Sequence, residues 1–138
     1  LMAANDSTIA DEAGDYDDWI EIHNSGDSDA DLAGVFLTDN MNTPRKWAFP
    51  DTSIPPGGFL LVWADSEESE GPLHAPFNLA AASGEEVGLF AADSTWTLAV
   101  DDVRFGPQSV DTSYGRLPDG GAEWRLFPGP TPGMPNEQ

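Results

Sequence analysis

Apolar residues in this chain come in short runs bracketed by Gly and Pro, and no window holds the i, i+3, i+4, i+7 spacing of a stable helix. Trp19-Ile20-Glu21-Ile22-His23 alternates cleanly. This predicts a half-buried strand with Ile20 and Ile22 on one side and Trp19, Glu21 and His23 on the other. Val35-Phe36-Leu37-Thr38 predicts a second strand, and Trp47 and Phe49 flank Ala48 in a third. Pro55-Pro56-Gly57-Gly58 signals a turn. The following run, Phe59-Leu60-Leu61-Val62-Trp63-Ala64, has no polar alternation and is expected to be buried on both faces at a sheet centre. Phe77 and Leu79 predict a short strand, residues 87–90 and 97–105 a hairpin, and residues 113–117 and 123–127 a last one. Leu1 to Ala4 reads as the remnant of a first strand, and residues 5–18 and 65–72 as acidic loops. The proline-rich stretch 128–135 cannot continue a ladder and is expected to lie over the surface.

One arm breaks phase. Leu98 and Val100 have even numbers, whereas Val103 and Phe105 have odd ones. Side chains alternate with period two, so a regular strand cannot place all four in the core. A β-bulge at Asp101-Asp102 is predicted to restore the phase.

Many short strands with regular turn signals argue for an all-β sandwich or barrel. The 138 residues suit a single domain spanning 1–138, expected to be excised from a larger multidomain protein. The absence of cysteine excludes disulfides, thiolate metal sites and a cysteine nucleophile.

Charge narrows the partners. Asp and Glu total 25 against five Lys and Arg, a formal net charge of −20. Such a surface repels nucleic acid and anionic membranes, so neither nucleic-acid binding nor membrane insertion is expected. Acidic, lysine-poor surfaces suit concentrated salt, where the Debye length falls from about 10 Å to about 3 Å. A halophilic or marine source is expected.

Several blocks resemble, in order, the lamin tail domain family. They include Asp18-Trp19-Ile20-Glu21-Ile22-His23-Asn24, Asp31-Leu32-Ala33-Gly34, Lys46-Trp47-Ala48-Phe49-Pro50 and the segment from Ile54 to Asp65. Ser83-Gly84-Glu85-Glu86-Val87-Gly88-Leu89-Phe90 and Ser113-Tyr114-Gly115-Arg116 continue the set. In the second block Val35 follows the glycine and the aromatic comes next, at Phe36. The resemblance implies an immunoglobulin-like β-sandwich of two antiparallel sheets. It also implies the bacterial or archaeal secreted type, placed extracellularly or at the cell surface. Partners would be other domains of the parent chain or surface proteins.

Candidate chemistry is sparse. Calcium prefers several hard oxygen ligands on a turning loop, and Asp15 and Asp17, with Glu21 reaching back, form the one metal candidate. Other charge runs, such as Glu67-Glu68-Ser69-Glu70, read as hydrated loop surface. His23 and His74 lie in no nucleophile-elbow or zinc motif and read as plain surface residues. No catalytic residue and no cofactor other than calcium is expected. Trp96, among polar neighbours, is the tryptophan most suited to meet a carbohydrate ligand. The sequence points to a non-catalytic interaction or spacer module, with a calcium-dependent carbohydrate- or surface-binding domain as the alternative.

Overall fold

The computed structural model describes residues 1–137. Eleven strands are laid out as β1 (Trp19–His23), β2 (Ala30–Asp31), β3 (Val35–Thr38), β4 (Trp47–Ala48), β5 (Ser53–Ile54), β6 (Phe59–Ala64), β7 (His74–Ala75), β8 (Glu85–Ala92), β9 (Thr97–Phe105), β10 (Ser113–Arg116) and β11 (Trp124–Phe127). The only helical piece among the described residues is a 3₁₀ turn at Glu68–Glu70.

Two layers form the sandwich. One is a three-stranded sheet in the order β1-β6-β7, the other a four-stranded sheet in the order β4-β3-β8-β9. Two-stranded ribbons, β2-β5 and β10-β11, flank them. Ile20, Val62 and Ala64 of the first sheet meet Leu37, Trp47, Val87 and Phe105 of the second in one core cluster. Each large apolar side chain withdrawn from water there contributes about 1.5–3 kcal/mol. This is the immunoglobulin-like sandwich that the sequence implies. β7 departs from the antiparallel pattern, because it lies parallel to β6.

Strand β1 shows why the sheet has two apolar faces. Its even positions enter the main core. Trp19 points the other way and packs with Met2 and Trp63, flanked by Ile9 and Leu61, in a second cluster. The N-terminal segment covers this outer face. Met2 and Trp19 exchange backbone hydrogen bonds of 2.8 and 3.0 Å. The expected first strand is thus reduced to a single bridge. The cover reaches only one end of β6, so Val62–Ala64 are buried while Phe59–Leu61 are half-buried. That corrects the expectation of full burial on both faces.

The hairpin β8-β9 carries its bulge earlier than expected. Leu89 pairs with Asp101 and Phe90 with Ala99, so Val100 is the extra residue. Opposite residues share a face. Leu98, opposite Ala91, is thereby brought to the same side as Val103, opposite Val87. Burial does not follow: Leu98 is 62% and Val100 56% exposed, because no described residue covers that end of the edge strand. Phe77 and Leu79 are buried but form no strand; Asn78 makes one bridge to Asp65, and the strand lies just before, at β7.

Candidate metal centre

Residues 5–18 and 65–75 meet at the edge of the second cluster. Register explains the first encounter. Trp19 pairs with Trp63. The ladder runs on through Asp18, whose carbonyl accepts from the Ala64 amide at 2.8 Å. Two positions beyond the Trp19–Trp63 pair, Asp17 therefore stands opposite Asp65, on the face that carries Trp19 and Trp63.

Asp11 folds its own loop. Its Oδ1 accepts from the amides of Ala13, Gly14 and Asp15 at 2.8, 2.9 and 3.0 Å. Gly14 has φ +95°, a conformation that side chains disfavour, so glycine is needed at this turn. On the other side, Asp65 Oδ1 accepts from the Glu67 amide at 2.9 Å. The chain then makes its 3₁₀ turn through Glu70 and returns beside β6, where the Trp63 amide donates to Leu73 O at 2.8 Å.

Six carboxylates result, in a closed ring. Ligand-capable oxygens lie within 4.8 Å of one another in overlapping sets: Asp11 with Asp65 and Glu70, Asp11 with Asp15 and Asp17, Asp15 with Glu67 and Glu70, and Asp17 with Asp65 and Glu67. Two unit charges at that distance repel by about 3 kcal/mol at an effective dielectric constant of about 20. Three buried oxygens in the ring have no hydrogen-bond partner: Asp11 Oδ2, Asp17 Oδ2 and Glu70 Oε2.

Protonation behaviour follows from this crowding. Burial, and then the neighbouring Asp11 carboxyl, pushes Glu70 up to about 7. Asp17 is raised by burial and by the charges of Asp65 and Asp11. Burial acts to raise Asp11 too, but the amides of Asp15, Ala13 and Gly14 outweigh it and hold this carboxyl below its usual range.

His74 closes the ring from beneath. Its Nδ1 lies 2.5 Å from Asp65 Oδ2 and its Nε2 2.8 Å from Glu12 Oε1. A carboxylate at each ring nitrogen favours a proton on both, and so the cationic imidazole. Burial opposes that charge, but the hydrogen bonds to Asp65 and Glu12 outweigh it and raise the His74 pKa. At 1% exposure, His74 is not the surface residue the sequence suggests. Its burial depends on the loop cover, which its neighbours in sequence do not reveal.

The residues singled out from sequence are distributed as follows. Asp15 and Asp17 both belong to the ring. Glu21 stands apart from it, and its Oε2 accepts from the Gly133 amide at 2.6 Å. Asp11, Asp65, Glu67 and Glu70 were hidden among many other acids. The register of β1 on β6, extended past Trp19, could have found Asp65; Asp11 and Glu70 are placed by loop folding that no local pattern signals. Trp96 is 48% exposed at the β8-β9 turn.

A second concave region lies between β1, β9 and the β10-β11 ribbon, with a volume of about 560 Å³. Trp124 and Tyr114 stack in its wall with ring centroids 5.3 Å apart. The Arg116 guanidinium sits 4.5 Å from the Trp124 centroid. It also donates to Asp101 Oδ1 at 2.6 Å and Gly121 O at 2.7 Å. Arg116 thus pins the ribbon to β9 as a structural residue.

A family model described as Lamin Tail Domain matches residues 4–106. The chain belongs to the lamin tail domain family. The match covers β1 to β9 and all six ring carboxylates of this lamin tail domain, and it ends before the β10-β11 ribbon. Neither a curated protein nor a solved structure gives a significant match. The family is an immunoglobulin-like, generally non-catalytic one, which supports an interaction module.

Proposed function

We propose that this lamin tail domain is a non-catalytic interaction or spacer module of a secreted or cell-surface protein, contacting other domains of its parent chain or surface proteins. The family match carries the reading, and the setting of the two histidines supports it: His74 has both nitrogens engaged, and His23 makes no hydrogen bond to a hydroxyl among the described residues. A triad needs an imidazole nitrogen free to take a proton from a nucleophile. His23 Nδ1 lies 3.0 Å from Gly58 O, and its ring stacks on Phe59 at 4.5 Å. Both nitrogens of His74 face carboxylates. In the cleft, Glu21, Asp101 and Asp119 are each held by a donor from Gly133, Arg116 or Asn136. The acidic surface supports protein or carbohydrate partners over nucleic acid.

The alternative, a calcium-dependent carbohydrate- or surface-binding domain, is favoured by the Tyr114–Trp124 stack beside open space, since flat aromatic faces suit sugar rings. Two measurements test these readings. A broad hydrolase screen should show no turnover; turnover abolished by one Asp or Glu substitution would overturn the module reading. A glycan array with and without calcium should distinguish the alternative, with W124A and W96A as controls for the half-buried cleft aromatic and the exposed hairpin one. The secreted setting is tested by the full-length reading frame, where an export signal is expected upstream.

A further inference from the structure

We propose that Asp11, Asp15, Asp17, Asp65, Glu67 and Glu70 form a calcium site that staples the N-terminal loop to the connection between β6 and β7. This inference rests on the ring itself and not on the interaction reading.

Four observations carry it. First, the ring is closed: each of the six carboxylates belongs to two of the overlapping sets. Each set brings three carboxylates within 4.8 Å, and calcium, which takes six to eight oxygens, would complete its shell with neighbouring carboxylates, backbone carbonyls and water. Second, Asp11 is only 9% exposed, yet its Oδ2 has no partner. Oδ1 of the same carboxylate already serves three amides, so Oδ2 is left to face Glu70 and Asp17. Asp17 Oδ2 and Glu70 Oε2 are likewise buried without a hydrogen bond, the latter 3.8 Å from His74 Nδ1. Third, no lysine or arginine answers this charge. Lys46 pairs with Asp39, Arg104 with Glu86, Arg116 with Asp101 and Arg125 with Glu123. Arg45 donates to the carbonyls of Asp93 and Trp96. Fourth, the ring offers carboxylate oxygens and a single nitrogen-bearing neighbour, His74, whose two nitrogens already face Asp65 and Glu12. That chemistry disfavours zinc, and the irregular ring disfavours the strict octahedron of magnesium.

The ligands come from two segments far apart in sequence. An ion bound to them exists only in the folded state, and so it stabilises that state by mass action. It would also hold the cover over Trp19 and Trp63, giving the outer face a calcium-dependent lid.

The 138-residue chain, freed of metal with a chelator and held at constant ionic strength, is titrated with CaCl₂ and separately with MgCl₂. Calorimetry should give one calcium per chain. The melting temperature should rise by on the order of 10 °C at roughly a hundredfold excess over Kd. Terbium should bind in its place and luminesce when tryptophan is excited, since the Trp63 ring lies 6.5 Å from that of His74. D11N keeps an Oδ1 for the three loop amides and loses only the free carboxylate oxygen. D11N and D17N should therefore fold and, without calcium, melt at or above the wild type, because repulsion is relieved. Both should lose most of the calcium-induced rise, whereas D27N, which removes the same charge elsewhere, should keep it. The absence of heat and of any melting shift in the wild type would overturn the proposal. A calcium response that survives in both D11N and D17N, or an equal response to magnesium, would do the same.

Discussion

His74 Nδ1 lies 2.5 Å from Asp65 Oδ2, and neither side chain is exposed to solvent. The two residues sit at opposite ends of a loop that returns the chain parallel to β6, with Trp63 paired to His74. This pair sets a basic group against the ring of carboxylates, and it locks the loop that carries half of them.

Replacing His74 by Gln removes the cation and leaves Asp65 buried without a counter-charge. The expected cost is about 3–5 kcal/mol, the range for breaking a buried ion pair from one side. Urea denaturation in the presence of chelator measures it, with circular dichroism to verify that β structure persists. A cost below about 1 kcal/mol would mean that the pair is as weak as an exposed one.

Asp111 anchors the other end of the N-terminal loop. Its carboxylate accepts from the amides of Asp6 and Ser7 and from the hydroxyls of Ser7 and Thr8. The hydrogen bonds from Ser7 and Asp6 hold its pKa down to about 2. A carboxyl with a depressed folded pKa contributes stability that is fully present above its unfolded value of about 3.9 and is lost as pH falls toward 2. The wild type should therefore weaken between about pH 4 and pH 2. D111N should be less stable at neutral pH and should show a shallower loss over that interval. Equilibrium unfolding at several pH values checks both the sign and the window.

Gly84 enters β8 with φ +72°, and a Cβ there would stand 2.0 Å from the Phe105 carbonyl oxygen. Alanine must displace backbone as well as adopt a left-handed conformation. G84A is expected to cost about 2–4 kcal/mol. Gly57 has almost the same φ, +71°, but open space around it. G57A should cost only about 1 kcal/mol. Thermal melts of the two variants side by side separate crowding from backbone conformation.

The net charge of −20 makes self-repulsion a general burden on the folded state. Raising NaCl from about 0.05 M to about 2 M shortens the screening length severalfold, so the melting temperature should climb. A flat or falling melting temperature would remove the expectation of a halophilic or marine source.

Much of the sandwich is legible in the pattern of side chains. The alternation of Trp19 to His23, the run from Phe59 to Ala64 and the glycine turn between them are local features, and each occupies the element expected of it. The bulge in β9 was required by parity alone, and only its position, at Val100, was set by pairing with β8. The ring of carboxylates was legible only in part. Asp15 and Asp17 are near neighbours in sequence, but Glu21 is drawn to the Gly133 amide, and Asp65, Glu67 and Glu70 lie in a separate loop.

By itself the sequence determined which residues alternate, where the chain must turn, and how little positive charge is available to balance its acids. Tertiary structure alone decided which of those acids face one another. Strand register and loop return bring together groups that are dozens of residues apart, and in a chain with 25 acids no local pattern distinguishes the six that converge. Burial of His74 was decided in the same way, since whether a polar side chain is sealed from water depends on what folds over it.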